Sequence, residues 1–140
     1  MWQTAGVDRG PFAEHAEGAL ACLPTGIGPE LGGFEIDTTD CPYASLEQPA
    51  LARGRVGDTL VIEWWHQALA ALEPSTGHLA LTLEDEVIWE REVPIPNPAQ
   101  TYRDEVELPI DIPRGTPVLL HLHNHGANTW NVFHVQLGAD

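Results

Sequence analysis

Four of the seven histidines fall in one stretch, Pro117-Val-Leu-Leu-His-Leu-His-Asn-His-Gly-Ala-Asn-Thr-Trp-Asn-Val-Phe-His-Val-Gln-Leu137. His121, His123 and His125 alternate, and His134 follows on the next apolar run. Alternate residues of a β-strand share a face. Neutral imidazole nitrogen is a good ligand for Zn²⁺ and Cu²⁺, so a histidine-bearing strand face is a candidate metal site. The register follows from the apolar residues. Pairing Leu122 with Phe133, Leu120 with Val135 and Val118 with Leu137 builds one continuous core face, and a one-residue slip would destroy it. This register predicts His121 beside His134 across a hairpin, with His123 one step along. His66, which ends the run Trp64-Trp65-His66, would supply a fourth ligand if that strand lies alongside. The predicted metal set is therefore His121, His123, His134 and His66, for Zn or Cu.

The same register leaves His125 at the hairpin tip with Asn124, Asn128 and Trp130. Amides hydrogen-bond sugar hydroxyls, and an indole face offers an apolar platform, the mixture that concave binding sites use. These four residues form the predicted ligand-binding set. Plainer readings stand beside both. A histidine is an ordinary occupant of a polar sheet face, and no carboxylate adjoins the HxHxH run to orient the rings. Gly126 and Asn128 are turn formers, and Trp130 could simply fill a sheet end.

The elements that would position these residues are strands. Leu60, Ile62 and Trp64 alternate within Thr59-Leu-Val-Ile-Glu-Trp-Trp-His66, leaving Val61, Glu63 and Trp65 on the other face. Leu79, Leu81 and Leu83 alternate next, and Asp85-Glu86 can turn the chain into a strand over Val87–Val93. Pro94, Pro96 and Pro98 exclude a central strand. Pro109 and Pro113 make the alternating Val106, Leu108, Ile110 and Ile112 an edge strand or an irregular crossing. Pro74–Gly77, Asp85/Glu86 and Asp104/Glu105 read as turns. Short strands at regular spacing, with Gly and Pro between them, predict an all-β antiparallel sandwich or jelly roll. We expect residues 1–140 to form one domain, with 1–55 irregular and 56–140 the sandwich core. Within 1–55, Phe12–Leu23 could form a short helix and Phe34-Glu-Ile-Asp37 an early strand. Cys22 and Cys41 could close a disulfide that pins the segment, which requires an oxidising compartment.

Twenty-one acidic residues against six arginines and no lysine leave a net charge of −15. Such a field repels nucleic acid and anionic membrane surfaces, and leaves sugars, cations and protein surfaces as partners. No apolar run reaches the roughly 20 residues of a membrane helix. The start, Met-Trp-Gln-Thr-Ala-Gly, shows neither the basic nor the apolar region of a signal peptide, so the expected extracellular or periplasmic location rests on the cysteines. GxSxG, HExxH, GxGxxG and the P-loop are missing, which predicts a non-catalytic protein.

The runs Gly57-Asp-Thr-Leu-Val-Ile-Glu-Trp64 and Gly115-Thr-Pro-Val-Leu-Leu-His-Leu-His-Asn-His-Gly-Ala-Asn-Thr-Trp-Asn-Val-Phe-His-Val135 resemble the later strands of galactose-binding-like β-sandwiches, a group of carbohydrate-binding-module-like domains. The resemblance spans residues 57–137. It implies a carbohydrate-binding or adhesion role outside the cell. Many such domains carry an Asp three residues after the closing Trp; Phe133 stands there, so no family site residue transfers. Three functions are therefore weighed: a non-catalytic module binding carbohydrate or a surface ligand, a histidine-based Zn or Cu binder, and an assembly subunit of a surface layer or filament.

Overall fold

The computed structural model describes residues 3–4, 27–30, 33–37, 43–83, 85–124 and 128–137. Ten strands lie among them: β1 (Gln3–Thr4), β2 (Ile27–Glu30), β3 (Gly33–Asp37), β4 (Tyr43–Pro49), β5 (Thr59–His66), β6 (Ser75–Leu83), β7 (Glu86–Ile95), β8 (Gln100–Glu107), β9 (Pro117–His123) and β10 (Thr129–Leu137). They form two five-stranded sheets. The first has the order β1-β4-β9-β6-β7 and the second β2-β3-β10-β5-β8, and every pairing is antiparallel. The all-β sandwich expected from the alternation is the fold observed.

The core is what the period-2 pattern requires. Leu79 and Leu81 of β6, Leu46 of β4 and Leu120 and Leu122 of β9 pack from the first sheet against Leu60, Ile62 and Trp64 of β5 from the second. Burying one such side chain is worth roughly 1.5–3 kcal/mol, so the two inner faces hold the layers together. A β6–β7 hairpin forms as expected, but Glu86 already belongs to β7 opposite Leu83 and only Asp85 of the expected pair lies in the turn. Both well-described edges are guarded: β7 carries exposed Glu90, Glu92 and Pro94, and β8 exposed Arg103, Glu105 and Glu107. Charges and proline on an edge strand oppose pairing with another chain.

Four expectations are corrected. Residues 1–55 are not simply irregular, because β1 to β4 lie there and supply two strands to each sheet. β3 is the early strand expected over Phe34–Asp37, whereas β1, β2 and β4 lack the alternation of apolar residues that would reveal them. Ser75–Gly77 belongs to β6 and Asp104/Glu105 to β8 rather than to turns. The inward residues of β8 include Tyr102 and Asp104, and a strand with polar inward positions reads as a loop.

The third correction concerns the closing hairpin. β9 pairs with β4 and β6, whereas β10 pairs with β3 and β5. The two strands lie in opposite sheets, and the predicted pairing of Leu122 with Phe133 does not form. The fourth is a phase change. The β5–β10 register shifts between Val132 and His134, so Phe133 is the extra residue of a β-bulge. Ahead of it Trp130 pairs with His66; beyond it Val135 pairs with Ile62. The bulge turns Trp130 inward and Asn131 outward, the reverse of unbroken alternation. The Phe12–Leu23 helix, Cys22, Cys41 and His125 lie outside the described residues.

Trp130 and Gly77 meet across the sandwich. A Cβ on Gly77 would stand 2.7 Å from Cη2 and 2.8 Å from Cζ2 of the Trp130 ring, closer than packed carbons approach. Gly77→Ala should therefore destabilise by about 1–3 kcal/mol, the usual cost of overpacking. Urea unfolding checks it, and an unchanged midpoint would mean that the ring yields freely.

Candidate functional site

The sandwich interior between the β7 and β8 edges holds an aromatic cluster around one carboxylate. Trp64 stacks on Tyr102 with centroids 3.9 Å apart and planes 9° from parallel. It meets Trp89 edge-on at 5.9 Å and lies 6.4 Å from Trp130. Asp104 Oδ2 accepts the Trp64 indole N–H at 3.2 Å and the Trp89 indole N–H at 3.0 Å. Asp104 Oδ1 accepts from Arg91 Nη1 at 3.0 Å, and the Arg91 guanidinium lies over the Tyr102 ring at 5.2 Å. Arg91 and Trp89 belong to the first sheet, Asp104 and Trp64 to the second, so this carboxylate ties the two layers together.

His66 is fully buried beside this cluster. Its Nδ1–H donates to the Gln67 carbonyl at 2.8 Å, which leaves Nε2 of the neutral ring to accept from the Tyr102 hydroxyl, also at 2.8 Å. Burial pushes the Tyr102 phenol above its ordinary pKa; Arg91 opposes the shift and Asp104 adds to it. Both nitrogens of His66 are committed to structure.

The residues predicted to contact a ligand are interior too. Trp130, Asn124 and Asn128 are all buried. Asn128 Oδ1 accepts the Ala70 N–H at 2.7 Å, and its Nδ2 donates to the Ala70 carbonyl at 3.1 Å and to Asn124 Oδ1 at 3.2 Å. The amide thus imitates a strand neighbour and satisfies a backbone that has no ladder partner there. These groups hold the crossing between the sheets rather than present an open surface.

The predicted metal set is not brought together. His121 and His123 lie on the outward face of β9 in the first sheet, His66 points into the core from the second, and the backbone of His134 pairs with Glu63 in the second. His121 instead meets His78 of β6, ring centroids 4.9 Å apart, and His78 Nε2 lies 2.6 Å from Glu90 Oε1. His121 and His78 are buried on that face together with Ala80, Thr82 and Leu119. Among the described residues no group of three or more His, Cys, Asp or Glu side chains is placed to hold a metal ion.

The outward face of the second sheet has a different character. Glu35, Asn131, Trp65 and Thr101 stand in register across β3, β10, β5 and β8. Neighbouring strands lie about 4.8 Å apart, so these side chains form one row. Trp65 is half-buried. Asn131 is 1% exposed, and among the described residues neither its amide oxygen nor its amide nitrogen has a hydrogen-bond partner. Buried polar atoms without partners are rare and mark places where a ligand or a bridging water is taken up. Beside the row, Arg103 ion-pairs with Glu105 and lies 3.6 Å from Glu63. The Glu105 carboxylate, and then Glu63, hold its proton more firmly still. Period-2 alternation alone places Trp65 outward. Asn131 is invisible to it, because the bulge sets its phase; Glu35 falls on the expected early strand over Phe34–Asp37, and only the pairing of β3 with β10 brings it into the row.

No protein-family model matches the chain, and no curated protein matches it. Among solved structures, one described as "CBM4 structure and function" aligns over 98% of this chain and 85% of that one, with a TM-score of 0.55 and 14% identity. That structure is a carbohydrate-binding module of family 4. The chain shares its β-sandwich fold, in keeping with the carbohydrate-binding-module-like resemblance of residues 57–137. Among the described residues no helix is long and apolar enough to cross a membrane.

Proposed function

We propose that this protein is a non-catalytic carbohydrate-binding module acting outside the cell, and that its contact is the outward face of the second sheet. The observation that carries the reading is the pairing of a half-buried, outward Trp65 with an unsatisfied Asn131 amide directly across the ladder. A sugar ring offers an apolar face to the indole and hydroxyls to the exposed Thr101 beside it, while the Asn131 amide beneath the row reaches a hydroxyl through a bridging water. Glu35 and Thr101 extend the row on either side. The carbohydrate-binding-module fold supports the same reading.

The charge on this face selects among glycans. Among the described residues, Glu35, Glu63, Glu105 and Glu107 share it with one arginine, which is already paired with two of them. Neutral polysaccharides are accepted, and polyanionic ones such as alginate or polygalacturonate are repelled. Affinity electrophoresis against soluble β-glucans, xylan and alginate tests this. Retardation by a neutral glycan and none by alginate is expected; the reverse, or retardation by nothing, would sink the proposal. Trp65→Ala should then weaken binding by about 2 kcal/mol, roughly thirtyfold, as the loss of a central aromatic anchor does, while the fold survives. Unchanged retardation by that variant would move the contact elsewhere.

A further inference from the structure

Trp64, Trp89 and Trp130, three of the five tryptophans, and Tyr102, one of the two tyrosines, form one run of ring contacts. Trp64 is the hub, with centroids 3.9 Å from Tyr102, 5.9 Å from Trp89 and 6.4 Å from Trp130. Indoles and phenols give up single electrons more readily than any other side chains except those of Cys and Met. The chain has only two Cys and one Met. Rings this close pass an electron vacancy, a hole, from one to the next. Among the described indoles Trp65 alone is not buried. An oxidant in solution meets it first, and it adjoins Trp64 in the chain.

The Tyr102 hydroxyl ends this run on a base. A buried phenol needs a hydrogen-bond partner, and a carbonyl or an amide would serve. The partner here is an imidazole nitrogen, His66 Nε2, at 2.8 Å. The opposite nitrogen fixes the tautomer, because His66 Nδ1–H donates to the Gln67 carbonyl, also at 2.8 Å. His66 is fully buried, so no rotation frees it from this arrangement.

That arrangement matches what oxidation of a phenol demands. A phenol that loses an electron becomes a strong acid and must shed its proton. Burial pushes the resting Tyr102 phenol above its ordinary pKa, so the proton stays in place until the electron goes. It then has one hydrogen bond to cross. The imidazolium formed keeps its Nδ1–H on the Gln67 carbonyl, a charge-assisted bond stronger than the neutral one it replaces. Asp104 Oδ2 accepts from the Trp64 and Trp89 indole N–H groups, which favours positive charge on either ring as it passes.

We propose that Tyr102 and His66 form a proton-coupled redox site, the terminus for holes that a diffusible one-electron oxidant leaves on the tryptophans. The oxidant is a small inorganic radical such as azidyl. It takes one electron from an indole and becomes azide, leaving an indole radical cation. The hole reaches Trp64, which recovers its electron from Tyr102 as the Tyr102 proton moves to His66 Nε2. The net products are azide, a Tyr102 phenoxyl radical and a His66 imidazolium. One O–H bond is broken and one N–H bond is formed. The site is independent of the glycan face and stands or falls without it.

Pulse radiolysis of the full chain in azide solution tests it. The indole radical absorption should decay as the phenoxyl absorption grows, at a rate that does not depend on protein concentration and that falls in D₂O. Tyr102→Phe should leave the hole on the indoles. His66→Gln, whose amide oxygen can accept the phenol's hydrogen bond but not its proton, should slow phenoxyl growth at least about tenfold. Should neither variant fold, the wild-type chain still decides. High-field electron paramagnetic resonance of its trapped radical should show a phenoxyl oxygen hydrogen-bonded to one exchangeable proton. The inference is overturned by a wild-type chain that forms no phenoxyl, or forms it only between molecules. Full phenoxyl growth in Tyr102→Phe, which places the radical on Tyr43, overturns it too, as does an unchanged rate in His66→Gln or a phenoxyl without that hydrogen bond.

Discussion

Replacing Trp130 with alanine is expected to cost about 3–5 kcal/mol of stability, the range for deleting a fully buried tryptophan. The side chain is 1% exposed. It meets His66 edge-on with centroids 5.3 Å apart, lies alongside Trp64 and abuts Gly77, which has no Cβ to yield to it. Strands β5 and β6 would face the resulting hole. For a domain whose total stability is of the order of 5–15 kcal/mol, such a loss lowers the melting temperature by about 10–20 °C. Trp130→Phe should lose much less. It keeps most of the ring, and it removes an indole N–H that is buried without a hydrogen bond, itself a burden of roughly 1–3 kcal/mol. Urea titration of both variants is the measurement, read as a shift in midpoint at constant slope. Folded Trp130→Ala, assayed well below its melting temperature, should still bind the glycan that Trp65→Ala loses. Wild-type stability coupled to lost binding would instead make Trp130 a contact residue.

The second large effect is at Asp104. Its two carboxylate oxygens accept from two indole N–H groups and one guanidinium, and these donors come from both sheets. Asp104→Ala strands Trp64 Nε1 and Trp89 Nε1 among aromatic rings. Each unsatisfied donor costs roughly 1–3 kcal/mol. Arg91 contributes less to the loss, because its side chain is 39% exposed and water takes over part of the carboxylate's role. A total of about 3 kcal/mol is expected. Asp104→Asn should recover part of it, since one oxygen still accepts, while its NH₂ now faces a donor. Tryptophan fluorescence reports the same change directly, because two of the five indoles lose a carboxylate partner. Unchanged stability and an unchanged emission spectrum in Asp104→Ala would show that this cross-sheet bond holds nothing. Because Asp104 and the glycan row face opposite sides of the second sheet, the effect should be on folding and not on sugar affinity measured in the folded protein.

Much of the architecture is legible in the sequence. The alternation of Leu60, Ile62 and Trp64, of Leu79, Leu81 and Leu83, and of Val118, Leu120 and Leu122 is a local property, and each run forms the strand it predicts with the predicted face inward. Trp65 was placed outward by the same rule. Pro94, Pro96 and Pro98 excluded a central strand, and β7 is an edge; Pro109 and Pro113 lie in the irregular crossing after β8, one of the two readings open for Val106–Ile112. The site was far less legible. The metal set rested on a hairpin between β9 and β10, and the ligand set rested on the tip of that hairpin.

Local pattern determined the strands β5, β6, β7, β9 and β10, and in most of them which side chains face the core, because side-chain alternation is a property of a single strand. Strand partners are a different matter. β9 and β10 are adjacent in sequence and both amphipathic, so a hairpin satisfies their pattern as well as two separate sheets do. Only the other strands decide between them, and in this fold β4 and β6 occupy both edges of β9 while β3 and β5 occupy both edges of β10. The bulge at Phe133 has the same origin. It costs no local hydrophobic contrast, yet it reverses every face ahead of it, turning Trp130 into the core and Asn131 out beside Trp65. Asp104 is the mirror case, a carboxylate that reads as surface and is drawn inward because two indoles and an arginine from distant strands converge on it. The histidines, the first signal in the sequence, are thereby divided among a core, a buried outer face and a second sheet, and the candidate site passes to a row of four residues that no single strand contains.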